Sequence, residues 1–128
     1  MSKADRQKVF TKVKRHLLKQ NKKSIRGSAN GGICLYRGPR GLKCAIGCLI
    51  KDKFYSESIE GGAFGDAFYP SDQKKTKLLK DALKSSGIKL DKKMIEMLDA
   101  LQATHDSFDP PLWEEQLMSI AEQLRLKY

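Results

Sequence analysis

The sequence CLYRGPRGLKCAIGCLI, residues 34–50, holds all three cysteines of the chain. At its centre GPRG, residues 38–41, has proline at the second position of a turn and glycine at the fourth. This pattern is typical of a type I turn followed by a glycine in the left-handed region, which closes a three-residue hairpin loop. We therefore predict a β-hairpin at residues 32–50 whose second strand leads into a short buried helix.

The turn also predicts which residues pair. Arg37 is expected opposite Lys43, and Tyr36 opposite Cys44, so that even-numbered residues share one face of the hairpin. That face is the more apolar one and includes Cys34, so we expect Cys34 and Cys44 to be small core residues. Arg37 and Lys43 then stand together on the other face.

The pair of Arg37 and Lys43 carries the first functional hypothesis. Like charges opposite one another destabilise a sheet, so the pair needs an anion between them. One source is an internal carboxylate, Glu57 or Glu60. The other is an anionic ligand held by the guanidinium fork and the ammonium group, most plausibly a nucleotide whose ring meets the aromatic and glycine-rich residues 51–70. The ligand contacts on this hypothesis are Tyr36, Arg37, Lys43, Tyr55, Glu60, Gly61 and Phe64.

Helical patterns surround the hairpin. Apolar residues recur at three- and four-residue spacing from Lys3 to Gln20, which predicts an amphipathic helix, and the polar residues 21–32 predict a connector. Three more helices are expected, at residues 71–85 with Ser71 as N-cap, at residues 92–104 with Asp91 as N-cap, and from Asp109 to about residue 126.

These elements predict one compact, mostly helical α+β domain over residues 1–128. It has about four long helices and one β-hairpin with a short helix after it. A chain of 128 residues is long enough to bury about two thirds of the surface that it exposes when unfolded. The odd number of cysteines and the lack of an apolar leader or a membrane-length apolar run predict a soluble cytosolic protein with free thiols and no membrane contact.

Charge is concentrated at the start of the chain, whose net charge is +10. Residues 1–26 contain ten lysines and arginines and one acid, whereas the remaining 102 residues are nearly balanced. Such a basic helix favours either contact with a polyanion or a solvated face that keeps the protein soluble. The candidate nucleic-acid contacts are Lys8, Lys12, Lys14, Arg15, Lys19, Lys22 and Lys23.

The sequence provides only incomplete motifs for a metal site and for a thiol enzyme. The cysteine spacing lacks the close pair of a zinc knuckle, with only His16 or His105 to complete a site, so we expect no metal and no cofactor. A thiol enzyme would use Cys44 as nucleophile, with His105 as base and Asp106 to orient it. His105 and Asp106 are more typical of a pair at a helix end. We expect a binding protein rather than an enzyme.

The motif C-x-Y-R-G-x2-G-x-K-C-A-x-G-x-L-I at residues 34–50, followed by Glu60, by the run from Leu101 to Asp106 and by Trp113, resembles a family of small proteins common in tailed bacteriophages and prophages. Lys51 stands where that family usually has proline. The resemblance implies an accessory protein in the host cytoplasm that acts by non-covalent binding. It would sequester a signalling nucleotide of host defence or inhibit a host protein.

Overall fold

A computed structural model describes residues 2–27, 33–60 and 73–128. Within this part of the chain the fold is α+β and mostly helical, as predicted. The four α-helices are α1 (Lys3–Gln20), α2 (Gln73–Ser85), α3 (Lys92–Ser107) and α4 (Trp113–Gln123). Two short strands, β1 (Ile25–Arg26) and β2 (Ile33–Cys34), form an antiparallel pair. Short 3-10 turns connect these elements.

Helix α1 has the predicted bounds because the sequence caps both of its ends. The Ser2 hydroxyl accepts the amide of Asp5, and the Asp5 carboxylate accepts the amide of Ser2, which is a capping box. At the other end Asn21 adopts the left-handed conformation (φ 50°) and donates its amide to the Leu17 carbonyl. The helix buries an apolar face made of Val9, Phe10, Val13 and Leu17.

The core lies between α1, α3 and α4, which pack against one another. Trp113 is fully buried there, and its indole Nε1 donates to the Phe108 carbonyl oxygen at 2.8 Å, so the largest side chain of the core leaves no unpaired donor. Helix α2 packs instead against the 3-10 turns at Asp52–Phe54 and Glu57–Ile59.

The strand pairing differs from the prediction. β1 lies in the segment expected to be a connector, and Ile25 pairs with Cys34. The predicted register at the turn is confirmed, because Arg37 and Lys43 form an antiparallel bridge, but this bridge is isolated. It does not extend because the amide of Tyr36, which would face Cys44 in the next pair, donates to Glu60 Oε1 instead.

The GPRG turn closes as predicted, with the Gly38 amide donating to the Leu42 carbonyl at 2.8 Å. Gly41 has the expected left-handed conformation (φ 76°). Arg40 is left-handed as well (φ 60°), so the turn is not of the predicted type I, in which the third residue has φ of about −90°. The short helix that follows is a 3-10 turn at Gly47–Leu49, where a Cβ on Gly47 would lie 1.9 Å from the Tyr36 carbonyl oxygen.

The later helices follow the predicted order. The N-cap predicted at Ser71 lies outside the described residues, whereas Asp91 caps α3 by accepting the Met94 amide. α3 continues to Ser107, three residues beyond the prediction, since no glycine or proline interrupts it before Pro110. His105 and its neighbour therefore lie in the last turn of α3. A 3-10 turn at Pro110–Leu112 precedes α4.

Candidate functional site

The guanidinium of Arg37 is held by internal partners. Nη1 donates to Asp52 Oδ1 at 2.7 Å and Nη2 donates to the Ile50 carbonyl at 2.6 Å. The group also lies 5.2 Å from the centre of the Tyr55 ring. The ion pair lowers the pKa of Asp52 below its ordinary value, so this exposed carboxylate stays ionised against the guanidinium.

Glu60 serves the backbone rather than the guanidinium. Its two carboxylate oxygens accept the amides of Tyr36 and Arg37 at 2.8 and 3.2 Å, and one of them also accepts the Tyr55 hydroxyl at 2.6 Å. Burial and the hydrogen bond to Glu60 both raise the pKa of Tyr55. Glu60 therefore satisfies two amides that would otherwise extend the strand pairing.

The predicted anion site is thus rearranged. The carboxylate that pairs with Arg37 is Asp52, not Glu57 or Glu60 as the sequence suggested. Within the described part of the chain the Lys43 ammonium makes no ion pair, and Arg37 Nε is buried without a hydrogen-bond partner. The predicted ligand contacts Gly61 and Phe64 lie outside the described residues.

A second group of polar side chains lies at the end of α3. His105 is fully buried and stacks on Trp113, with the ring centres 5.5 Å apart. Its Nε2 accepts the Ser24 amide at 2.8 Å, so its Nδ1 carries the proton and donates to Asp106 Oδ1 at 2.7 Å. We call this group the interior polar network; its members are Ser24, Cys34, Gln102, His105 and Asp106.

Gln102 and Cys34 complete the interior polar network. Gln102 accepts the Ile46 amide at 3.0 Å and donates to Asp106 at 2.8 Å. Burial, followed by the charge of Asp106 and a hydrogen bond to it, raises the pKa of Cys34 to about 11. The thiol is therefore protonated at neutral pH.

This arrangement does not fit a metal, although ligand atoms of Cys34, His105 and Asp106 lie within 4.8 Å of one another. A metal on His105 Nδ1 would move the ring proton to Nε2, where it would face the Ser24 amide hydrogen. Two donors would then oppose each other inside the protein. The hydrogen bonds that hold the ring exclude the tautomer that a metal requires.

The thiol-enzyme hypothesis also meets an unfavourable geometry. The cysteine beside His105 and Asp106 is Cys34, whereas Cys44 is fully buried and burial raises its pKa well above the ordinary value. A nucleophilic thiol needs a lowered pKa and a base with a free nitrogen. Both ring nitrogens of His105 are already hydrogen-bonded. Cys44 is instead the small core residue that the sequence predicted.

The outer face of α1 carries exposed cations instead of a buried group of hydrogen-bonded side chains. Every exposed side chain of α1 from residue 8 onward is a cation, and the spacing of four, three and four residues places them in one line. We call this line the cationic stripe; its members are Lys8, Lys12, Arg15 and Lys19. The described residues provide no ion pair for any of them. A shallow groove of about 390 Å³ runs beside the first three.

The other predicted nucleic-acid contacts divide into two kinds. Lys14 lies 3.7 Å from the centre of the Tyr128 ring and donates to the Tyr128 carbonyl, and Lys23 pairs with Asp109 at 3.7 Å. These two lysines hold structure together. Lys22 is exposed just after the helix ends.

Sequence reasoning missed Ser24, Asp52 and Gln102. Ser24 is a buried polar residue whose partners lie in β2, the turn and α3, and no local pattern marks it. Gln102 carried a signal, because it lies three residues before His105 and four before Asp106 on a mostly apolar helix face. A polar side chain at such a position is expected to have a buried partner.

No helix among the described residues has both the length and the apolar character needed to cross a bilayer. Comparison with protein-family models, with curated proteins and with solved structures finds no match to this chain.

Proposed function

We propose that the protein binds nucleic acid through phosphate contacts made by the cationic stripe. The observation that carries this proposal is that the four exposed positions of α1 from residue 8 onward are all lysine or arginine. From Lys8 to Lys19 the chain advances by eleven residues, or about 16 Å at the helical rise of about 1.5 Å per residue. Phosphate contacts from such cations supply most of the affinity in sequence-independent binding.

The scarcity of acids along α1 favours this proposal over a merely solvated face, since Asp5, three residues before Lys8, is the one acid in the helix. A solvated helix surface normally alternates charges, which gives it stabilising pairs three or four residues apart. Here residues 6–51 contain no aspartate or glutamate. Neighbouring cations of the stripe therefore repel one another, and a polyanion would remove that repulsion.

The nucleotide hypothesis at Arg37 and Lys43 stays a prediction. Lys43 remains available in the described part of the chain, but Arg37 would have to leave Asp52 to reach a ligand phosphate. Calorimetric titration with cyclic and linear nucleotides tests it, and a lack of binding below millimolar concentration would reject it. The proposed role of sequestering a signalling nucleotide in a phage-infected host depends on the same titration.

The direct test of the proposed function is fluorescence anisotropy with a labelled DNA duplex of about 20 base pairs, titrated between about 50 and 200 mM salt. Four phosphate contacts predict a slope near −4 in a plot of log affinity against log salt. The variant with Lys8, Lys12, Arg15 and Lys19 all changed to Gln should lose nearly all of this slope and at least about 50-fold in affinity at the lowest salt.

The matched control variant removes four positive charges from α2 and α3 instead of from α1. Lys74, Lys77, Lys84 and Lys92 are exposed on α2 and α3, and their replacement by Gln lowers the net charge by the same amount. We expect this variant to keep its affinity to within about three-fold. Equal losses in both variants would mean that net charge alone drives binding, and the assignment to α1 would be wrong.

A further inference from the structure

The phosphate-binding surface extends beyond α1, because Lys43 is fixed beside it. His16 Nε2 donates to the Lys43 carbonyl at 2.8 Å, and Gln20 Nε2 donates to the same oxygen at 2.9 Å. Gln20 Oε1 accepts the Lys43 amide at 3.0 Å. Three hydrogen bonds from the last turns of α1 thus hold the backbone of Lys43 in place.

The charge of Lys43 joins that of the cationic stripe. Burial raises the pKa of the Cys48 thiol, and the charges of Lys12 and Lys43 both oppose that rise. Asp52 is acted on by Lys43 as well, but its Oδ1 is bound by Arg37. With its backbone bound to His16 and Gln20, Lys43 adds one cation beside the four of the stripe.

Among the described residues, the exposed face of α1 carries no aromatic side chain on which a base can stack. The exposed positions of α1 after residue 4 carry lysine and arginine, and the Tyr128 ring beside the helix already has the Lys14 ammonium over one face. Proteins that bind single strands combine a basic groove with aromatic platforms for successive bases. The described part of α1 offers the first feature without the second.

The cations themselves are also poor readers of sequence. Lys8, Lys12 and Lys19 carry point charges on flexible stems, and only Arg15 has the fork that reads a guanine edge in two hydrogen bonds. Their backbone positions are fixed by one helix and by the hydrogen bonds that hold the Lys43 backbone. A linear arrangement of such positions suits a polymer whose phosphates also recur along a line.

Building on the proposed function, we infer that the partner is a double-stranded nucleic acid, bound through its phosphates by the cationic stripe together with Lys43 and without base readout. Duplex DNA and duplex RNA share this chemistry. A single strand of the same length has the charge but loses entropy when its backbone is ordered against the helix, and the described part of α1 offers its bases no aromatic platform in return.

The experiment compares four labelled probes by anisotropy at about 100 mM salt: two DNA duplexes of unrelated sequence, one RNA duplex, and one unpaired strand of the first duplex. We expect the two DNA duplexes to bind within about three-fold of each other and the single strand to bind at least about five-fold more weakly. RNA duplex binding that also exceeds single-strand binding would assign the preference to duplex structure in general, and RNA binding no tighter than the single strand would assign it to duplex DNA.

Lys43→Gln tests the contribution of Lys43 to duplex binding, with Lys84→Gln on α2 as its matched control. Lys43→Gln should reduce the magnitude of the salt slope for the duplex by about one, and Lys84→Gln should leave it unchanged. A single strand that binds as tightly as the duplex, or equal slopes for the two variants, would overturn the inference while leaving the proposed function in place. A lack of binding to every probe would overturn the proposed function itself.

Discussion

The interior polar network and the cationic stripe both consist of polar side chains. Those of the network have hydrogen-bond partners inside the protein, whereas those of the stripe have no ion pair among the described residues. In the network the Ser24 amide, the His105 ring and the Gln102 amide each meet a partner at 3.0 Å or less. In the stripe four cations stand in line, and Asp5, three residues before Lys8, is the one carboxylate near them in sequence. Partners, rather than charge, separate a structural group from one available to a ligand.

The largest effect is expected from His105→Ala in the interior polar network. The substitution empties a fully buried ring site against Trp113 and leaves the Ser24 amide and Asp106 without their partner. We expect the free energy of unfolding to fall by about 3 kcal/mol, measured by urea denaturation.

His16→Ala serves as its control, because this ring is half-buried and contacts the Lys43 carbonyl. It should cost about 1 kcal/mol. If His105→Ala lowers the free energy of unfolding no more than His16→Ala does, the interior polar network does not stabilise the fold.

A chemical probe tests the same network at Cys34. Its pKa of about 11 makes the thiolate roughly 100-fold rarer at pH 8 than in a cysteine with a pKa near 9. Alkylation of Cys34 by iodoacetamide, followed by mass spectrometry, should be slower by about that factor and should rise about ten-fold per pH unit up to about pH 11. A rate that levels off near pH 9 would show shielding alone and no shift in pKa.

The raised pKa of Cys34 also predicts how the free energy of unfolding depends on pH. Because folding raises the pKa of Cys34, the stabilisation by its neutral thiol is complete below about pH 9 and is lost as pH rises towards about 11. Cys34→Ser should therefore reduce the loss of stability over that interval. Equal alkaline loss in both proteins would assign it to other groups.

The smallest effect is expected from the cationic stripe. Replacing its four members by Gln removes three like-charge pairs spaced three or four residues apart, each worth about 0.3 kcal/mol. The free energy of unfolding should stay constant or rise by up to about 1 kcal/mol at low salt, and the gain should vanish near 1 M salt. A loss of more than about 0.5 kcal/mol would mean that these cations support the fold.

Local signals in the sequence predicted the parts of the fold that they control. α1 was predicted to the residue because its apolar spacing agrees with its caps, and the bridge between Arg37 and Lys43 followed from the turn chemistry at residues 38–41. The pairing of β1 with β2 was missed, since strands of two residues have no periodicity to detect.

The candidate sites were predicted less completely, because their partners lie far apart in the chain. Ser24 binds His105 across 81 residues, and Gln102 binds the Ile46 amide across 56. No spacing rule connects such positions. The basic residues at positions 1–26 were recognised from composition, but only the structure separates Lys14 and Lys23, which have partners, from the four members of the stripe.

The capping box of α1 has a kinetic consequence. Asp5 is the one carboxylate among the first 51 residues, and its hydrogen bonds with Ser2 lower its pKa and tie it to the start of the helix. A polyanion that approaches the stripe therefore meets no repelling group along the helix beyond its first turn. Such an unopposed field speeds diffusional encounter, so added salt should slow association of the partner more than it speeds its release.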